Sequence, residues 1–203
     1  MRDHLARLRA YATVDDPLAG VAATVALVVV GNQPFYPLYL HAIAGFAAWP
    51  VWLTLLSTPF FVAVPAVARR SSLAGRLLLP MVGVANTLIA VKAVGRDSGL
   101  ELFLVPCALL AAALVRPHER LLSLPVLALP FVAYVWLVDR LGPPLVTFPA
   151  DQQASMLIVN AVSVGSLVTL IGVLVSRLVV PSAAARAGLS AEAAATGTPA
   201  RRY

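Results

Sequence analysis

Charge is what this sequence has least of. Only 12% of its 203 residues are Asp, Glu, Lys or Arg, about half the share in a soluble domain. That scarcity excludes an ordinary soluble globule and a disordered chain, since both depend on charged surface. There is one cysteine, Cys107, so no intramolecular disulfide and no cysteine metal cluster can form. Cys107 sits in an apolar run and reads as an inert packing residue. Histidines are only three, which leaves His41 without a second histidine at its depth to hold a haem or a metal. The sequence has no P-loop, no HExxH and no glycine-rich dinucleotide turn. No hydrolytic triad is visible, and no paired carboxylates lie at the centres of the apolar runs. The pattern therefore speaks against an enzyme, a proton pump and an intramembrane protease, and it implies no cofactor.

What is abundant is apolar length. The chain is 60% hydrophobic, and its mean hydropathy is +0.88. A bilayer core about 30 Å thick takes roughly 20 apolar residues per helical span. Six such runs fit, at about 18–44, 50–68, 77–95, 99–115, 121–138 and 154–176. The expected fold class is therefore all-α, a polytopic bundle of six transmembrane helices over 18–180. Residues 1–17 read as a cytoplasmic amphipathic lead-in rather than a signal peptide, because Asp15 and Asp16 precede the apolar run. Residues 181–203 form an Ala-rich tail with too little bulky apolar surface for a core, and they are expected to be disordered. The first run is too long for one straight helix, so Pro34 and Pro37 predict a kink or break near Asn32 to Pro34.

The net charge of +6 raises the question of a nucleic-acid partner. Threading six spans with the N-terminus inside answers it. Of the 15 basic residues, Lys92, Arg96 and Arg140 fall outside and the other twelve inside. The nine acidic residues split five inside and four outside. Basic residues carry the asymmetry, as the positive-inside rule requires, and no nucleic acid is needed to explain it. Trp49, Trp52 and Trp136 fall at the outer ends of the spans, where amphipathic rings prefer to lie. The expected location is the bacterial inner membrane, multi-pass, with both termini cytoplasmic.

Polar groups inside apolar runs are costly and often mark function. Here they gather in the outer half. Asn32 lies 14 residues past Leu18, or about 21 Å of helix, and Gln33, Tyr36, Tyr39 and His41 follow it. The third and fourth spans add Asn86, Lys92, Arg96, Asp97, Ser98 and Glu101, the last loop adds Asp139, Arg140, Asp151 and Gln152, and the sixth span adds Asn160. A cavity between these helices would be polar at its mouth and apolar below, which suits a small amphipathic ligand or lipid. Structural roles compete with that reading. Lys92 can snorkel, Arg96, Asp97 and Glu101 can pair among themselves, and Asn32 can satisfy backbone freed by the proline break. In the sixth span Ala161, Gly165, Thr169 and Gly172 share one helical face. Such a small-residue stripe serves close helix packing, either inside the bundle or in a homodimer seam.

The run from Val84 to Leu124 carries a further pattern. It holds Asn86, the GxxSG turn Gly95–Gly99, Phe103 and the RxxER exit Arg116–Arg120, joined later by Pro143-Pro144 and Asn160. Over about residues 18–181 the chain resembles the six-helix membrane module that precedes many bacterial adenylyl cyclases, diguanylate cyclases and sensor histidine kinases. That resemblance implies a sensor whose last helix passes a shift to a catalytic dimer. Here only the short tail is expected past Arg177, so any signal would go to a separate cytoplasmic or membrane signalling protein. Glu101 also stands where the pattern would place a histidine or a neutral residue. The reading is a sensor-like or regulatory module that binds a small molecule or lipid. A small permease or transporter subunit and a structural assembly subunit are the alternatives.

Overall fold

A computed structural model describes residues 10–11 and 13–196, with side chains as far as 178. The expected tail, 181–203, and most of the lead-in lie outside the residues whose side chains are described. Among the described residues the structure is helical, with no strand.

The first helix, α1 (Pro17–Asn32), starts where the sequence tells it to. Asp16 caps it by accepting from the Leu18 N–H at 2.9 Å, and Pro17 takes the first helical position, where a missing N–H is harmless. The helix stops at Asn32 and restarts after Pro34 as α2 (Phe35–Ala44), inside the interval the prolines point to. Gly45, at φ +61°, turns the chain. A 3₁₀ segment, Gly45–Ser57, then runs into α3 (Thr58–Arg70). Runs of 3₁₀ helix beyond about four residues are uncommon, and this one spans 13. Because α2 packs on the 3₁₀ segment and α1 on α3, residues 17–70 double back on themselves. The single span expected at 50–68 is thus part 3₁₀ and part α, and it extends to Arg70.

Next comes α4 (Ser72–Val94), the longest buried helix and the centre of the bundle. It touches α1, α3 and α5 (Leu104–Ala113). Glycines set these distances. A Cβ on Gly75 would lie 2.5 Å from the Ala68 Cα, and one on Gly83 would lie 2.7 Å from the Cys107 Sγ. The helix α6 (Arg120–Val132) continues through a π-turn, Ala133–Leu137, to Arg140. Last is α7 (Ala150–Thr196).

Among the described residues four stretches are long and apolar enough to cross a membrane: Pro17–Arg70, Ser72–Val94, Pro117–Arg140 and Ala150–Leu178. The apolar helix Leu100–Ala113 is shorter. Its 14 residues rise about 21 Å as α-helix, less than a hydrocarbon core about 30 Å thick.

The charged residues separate to the two ends. At one end Arg76 is almost fully buried. It donates to both oxygens of Glu119 at 2.6 and 2.8 Å and to the Leu114 carbonyl. Arg116 reaches Asp16 at 2.8 Å, and Ser72 donates to the same carboxylate. This network ties the start of α1, the start of α4 and the α5–α6 corner together. At the other end Lys92 donates to the carbonyls of Leu141 and Pro143 at 2.9 and 2.8 Å, and Arg96 pairs with Asp139. Each end has its own apolar core. Val25, Val64, Leu79 and Leu114 centre the first, and Leu40, Val94, Leu100 and Met156 the second.

Candidate functional site

Between the two cores lies a cavity of about 680 Å³, within the roughly 300–1,000 Å³ of small-molecule sites. Its walls come from α1, α2, α3, α4, α5 and α7. Toward the Arg76 end the lining is apolar: Val25, Phe61, Leu79, Cys107 and Leu110. Toward the Lys92 end it turns polar, with Asn32, Gln33, Tyr36, Thr54, Asn86 and Thr87.

The polar end is built on the α1–α2 break. Gln33 is buried, and its Nε2 donates to the Ser57 Oγ at 2.7 Å and to the Thr54 carbonyl at 3.3 Å. The Thr58 hydroxyl donates to the Gln33 Oε1 at 2.7 Å. A single side chain therefore joins the end of α1 to the junction of the 3₁₀ segment with α3, where the change of helix type leaves backbone carbonyls to satisfy. The Ser57 hydroxyl lies 2.7 Å from the Thr54 carbonyl and 2.8 Å from the Asn86 Oδ1. It has one proton, so it serves one of them at a time. Thr87 spends its hydroxyl on the Gly83 carbonyl of its own helix.

Behind this network is Asn160. It is fully buried, and its Nδ2 donates to the Ser98 carbonyl at 2.8 Å. Ser98 in turn donates to the Gly95 carbonyl at 2.7 Å. Asn160 thus holds α7 against the tight α4–α5 turn, where Gly95 and Gly99 take φ +96° and +73°. The Asn160 amide lies beside the Tyr36 hydroxyl. Both the Tyr36 hydroxyl and the Asn160 Oδ1 are buried without a hydrogen-bond partner. Orphaned buried polar atoms are uncommon in native structures. Two of them together at one end of a cavity mark that end as unfinished within the chain.

Of the sequence-expected site residues, Asn32, Gln33, Tyr36 and Asn86 line the cavity, as does Tyr39, and Asn160 stands against Tyr36. The remaining five lie outside the lining. His41 bonds the Pro37 carbonyl at 3.1 Å and meets Phe46 and Trp52 edge to face. Lys92 secures the 141–143 loop. Arg96, Asp139 and Glu101 form a surface ion-pair group, with Glu101 4.0 Å from the Arg96 Nε. Asp97 is exposed. The stripe residues Ala161, Gly165, Thr169 and Gly172 are all exposed, and nothing lies within 4 Å of a Cβ built on either glycine. The packing-inside alternative for the stripe is therefore corrected: α7 presents its other side, with Met156, Asn160, Val164 and Ile171 buried, to the bundle. Cys107, read as inert packing, proves to line the cavity. Sequence reasoning missed Thr54, Ser57 and Thr58. Their close spacing in an apolar run was the available signal.

The MASE7 family model matches residues 17–192. The chain belongs to the MASE7 family. MASE domains are membrane-associated sensor modules, in agreement with the sensor-module resemblance carried by Asn86, the GxxSG turn and Asn160. No curated protein matches the chain. The match covers the whole MASE7 bundle described above and 14 residues of α7 past Leu178. Among the described residues no group of His, Cys, Asp and Glu is arranged to hold a metal ion.

Proposed function

We propose that this MASE7 chain is a six-crossing inner-membrane sensor that binds a small molecule or lipid in its central cavity and passes the occupied state to a separate protein through α7. One observation carries the reading. The helix that closes one side of the cavity, through Val159, Val162 and Ser163, is the same unbroken helix that continues past the bundle to Thr196. A ligand wedged against those residues would move the part of α7 that lies beyond the apolar span. Asn160 couples the two events, since it donates to the turn carbonyl of Ser98 and stands beside the Tyr36 hydroxyl at the cavity.

Six crossings with both termini on one side accord with the doubling-back of residues 17–70 and with the separation of Arg76 and Arg116 from Lys92 and Arg96. A permease has less support. The Arg76 end of the cavity is closed by Phe61, Leu79 and Leu110, whose side chains belong to an apolar core.

The test is purification in mild detergent from the native host, with mass spectrometry of what accompanies the protein. The expected result is a small amphiphile enriched over its share of the membrane, together with a signalling protein that cross-links to α7 beyond Leu178. Filling the cavity from the half-buried lining position Ser163, with Ser163→Phe, should remove the amphiphile. Recovery of bulk lipid alone, in membrane proportions and unchanged by that substitution, would sink the proposal.

A further inference from the structure

We infer that the cavity selects a single-chain amphiphile whose head group is uncharged and carries a hydroxyl or carbonyl, and that it enters sideways from the bilayer. The inference rests on the cavity being a ligand site, and it specifies the chemistry of that ligand.

The first observation is electrostatic. Among the described residues no charged side chain lines the cavity. The two nearest cations in sequence are already engaged, Lys92 by the Leu141 and Pro143 carbonyls and Arg96 by Asp139 and Glu101. One Glu101 oxygen is buried without a partner, one residue from the lining Leu100. A carboxylate or phosphate head would enter this low-dielectric space with no counter-charge, which costs far more than an uncharged head does. A cationic head would likewise meet no carboxylate in the lining.

The second observation is the hydrogen-bonding inventory at the polar end. The Tyr36 hydroxyl lines the cavity and has no neighbour to bond but the Asn160 amide behind it, a contact outside hydrogen-bond geometry, so its proton is open to a ligand. Asn86 accepts from Ser57 through its Oδ1, and among the described residues its NH₂ finds no acceptor. A hydroxyl or carbonyl head placed there could be answered by groups the protein leaves unanswered. From Leu79 to Ala90 the α4 wall rises about 16 Å, and most of that length is apolar; the volume of about 680 Å³ is that of a small-molecule site and falls short of a two-chain phospholipid.

The third observation is the entrance. Val28, Asn32 and Tyr39 on one lip and Ile158, Val162 and Ser166 on the other all line the cavity and are all exposed. The opening therefore lies along the side of the bundle between α1–α2 and α7, on the apolar belt that faces lipid.

The experiment uses the full chain in phospholipid nanodiscs and three probes with the same chain: 1-monododecanoylglycerol, dodecanoate and dodecyltrimethylammonium. Binding is read as a saturable rise in Tm. The expected result is saturable stabilisation by the glyceride, with the two charged probes at least tenfold weaker. Tyr36→Phe removes a hydroxyl that makes no well-formed hydrogen bond within the described chain. It should leave the unligated Tm unchanged while weakening the glyceride about five- to tenfold, the worth of one neutral hydrogen bond. Val162→Trp, at an exposed lip position, should block all three. Equal binding of all probes would overturn the head-group assignment and leave the ligand cavity standing. No saturable shift with any probe, in wild type or Val162→Trp, would overturn both. A fall in the unligated Tm of Tyr36→Phe would show the hydroxyl bonded within the protein and remove it from the site.

Discussion

Arg76 is the residue on which most of one end of the bundle depends. It is 1% exposed, and a buried guanidinium is tolerable only when every direction is answered. Glu119 takes two of its N–H groups, Leu114 a third and Ser72 a fourth. Arg76→Ala strips these partners at once and leaves Glu119 only the Arg116 N–H at 2.8 Å and the Arg116 guanidinium at 3.9 Å. The expected cost is about 3–5 kcal/mol, read from the denaturation midpoint in detergent. Arg76→Ala combined with Glu119→Gln should cost less than the sum of the two single changes, because the two residues share one contact. The sequence shows Arg76 only as a cation opening the third span. Its burial could not be read there, since the answering groups lie 38 and 43 residues further on.

Asp16 supplies a pH dependence with a definite sign. Burial raises its carboxyl pKa, but the Ser72 hydroxyl, the Leu18 N–H and the guanidiniums of Arg116 and Arg76 more than offset this and hold it below its ordinary value. A carboxyl depressed on folding contributes stability that is present above the unfolded value, about 3.9, and is lost as pH falls through the folded one. Wild type should therefore be more stable than Asp16→Asn at pH 7. The gap should begin to close below about pH 4. A gap that stayed constant down to the folded pKa would show that the ionised carboxylate contributes nothing.

At the scale of elements, the α4–α5 turn is where backbone conformation dictates residue type. Gly95 sits at φ +96° and ψ 166°, a region open in practice only to glycine. Gly99, at φ +73° and ψ 20°, is left-handed, which an L-residue tolerates at lower cost. A Cβ there would also meet the Leu157 Cδ1, but Leu157 is half-exposed and can swing aside. Gly95→Ala should cost roughly 1–3 kcal/mol and Gly99→Ala about 1–2. Gly31→Ala, with open space around it and a helical backbone, should be neutral or stabilising. Equal midpoints for Gly95→Ala and Gly31→Ala would contradict the turn as described.

Elements also show how far the sequence could be read. The break at Gln33-Pro34 was readable because proline acts locally. Asn86 and Asn160 stood out because an amide in an apolar run is expensive. The hydroxyls of Thr54, Ser57 and Thr58 did not, since hydroxyls in helices commonly bond their own backbone, as Thr24, Ser163 and Thr169 do here. The stripe on α7 gave the right helical face but not its environment. Periodicity says which residues share a side, not whether that side meets a helix or lipid.

For the whole molecule, the consequential reading is which end faces the cytoplasm. The ends differ in charge. Arg69, Arg70, Arg76, Arg116 and Arg120 belong to the turns at one end, and Lys92, Arg96 and Arg140 to those at the other. By the positive-inside rule the proposed orientation puts the Arg76 end on the cytoplasmic side, and labelling tests it. His118 and Thr147 are exposed, one at each end, and the native Cys107 is buried, so single added cysteines report each side separately. In intact cells a membrane-impermeant maleimide should label Thr147→Cys and leave His118→Cys untouched. In inverted vesicles the pattern should reverse. Labelling of both positions from one side would mean that the bundle does not span. A reversed pattern would place the Tyr36–Asn86 end of the cavity toward the cytoplasm, and the amphiphile it binds would then come from the inner leaflet.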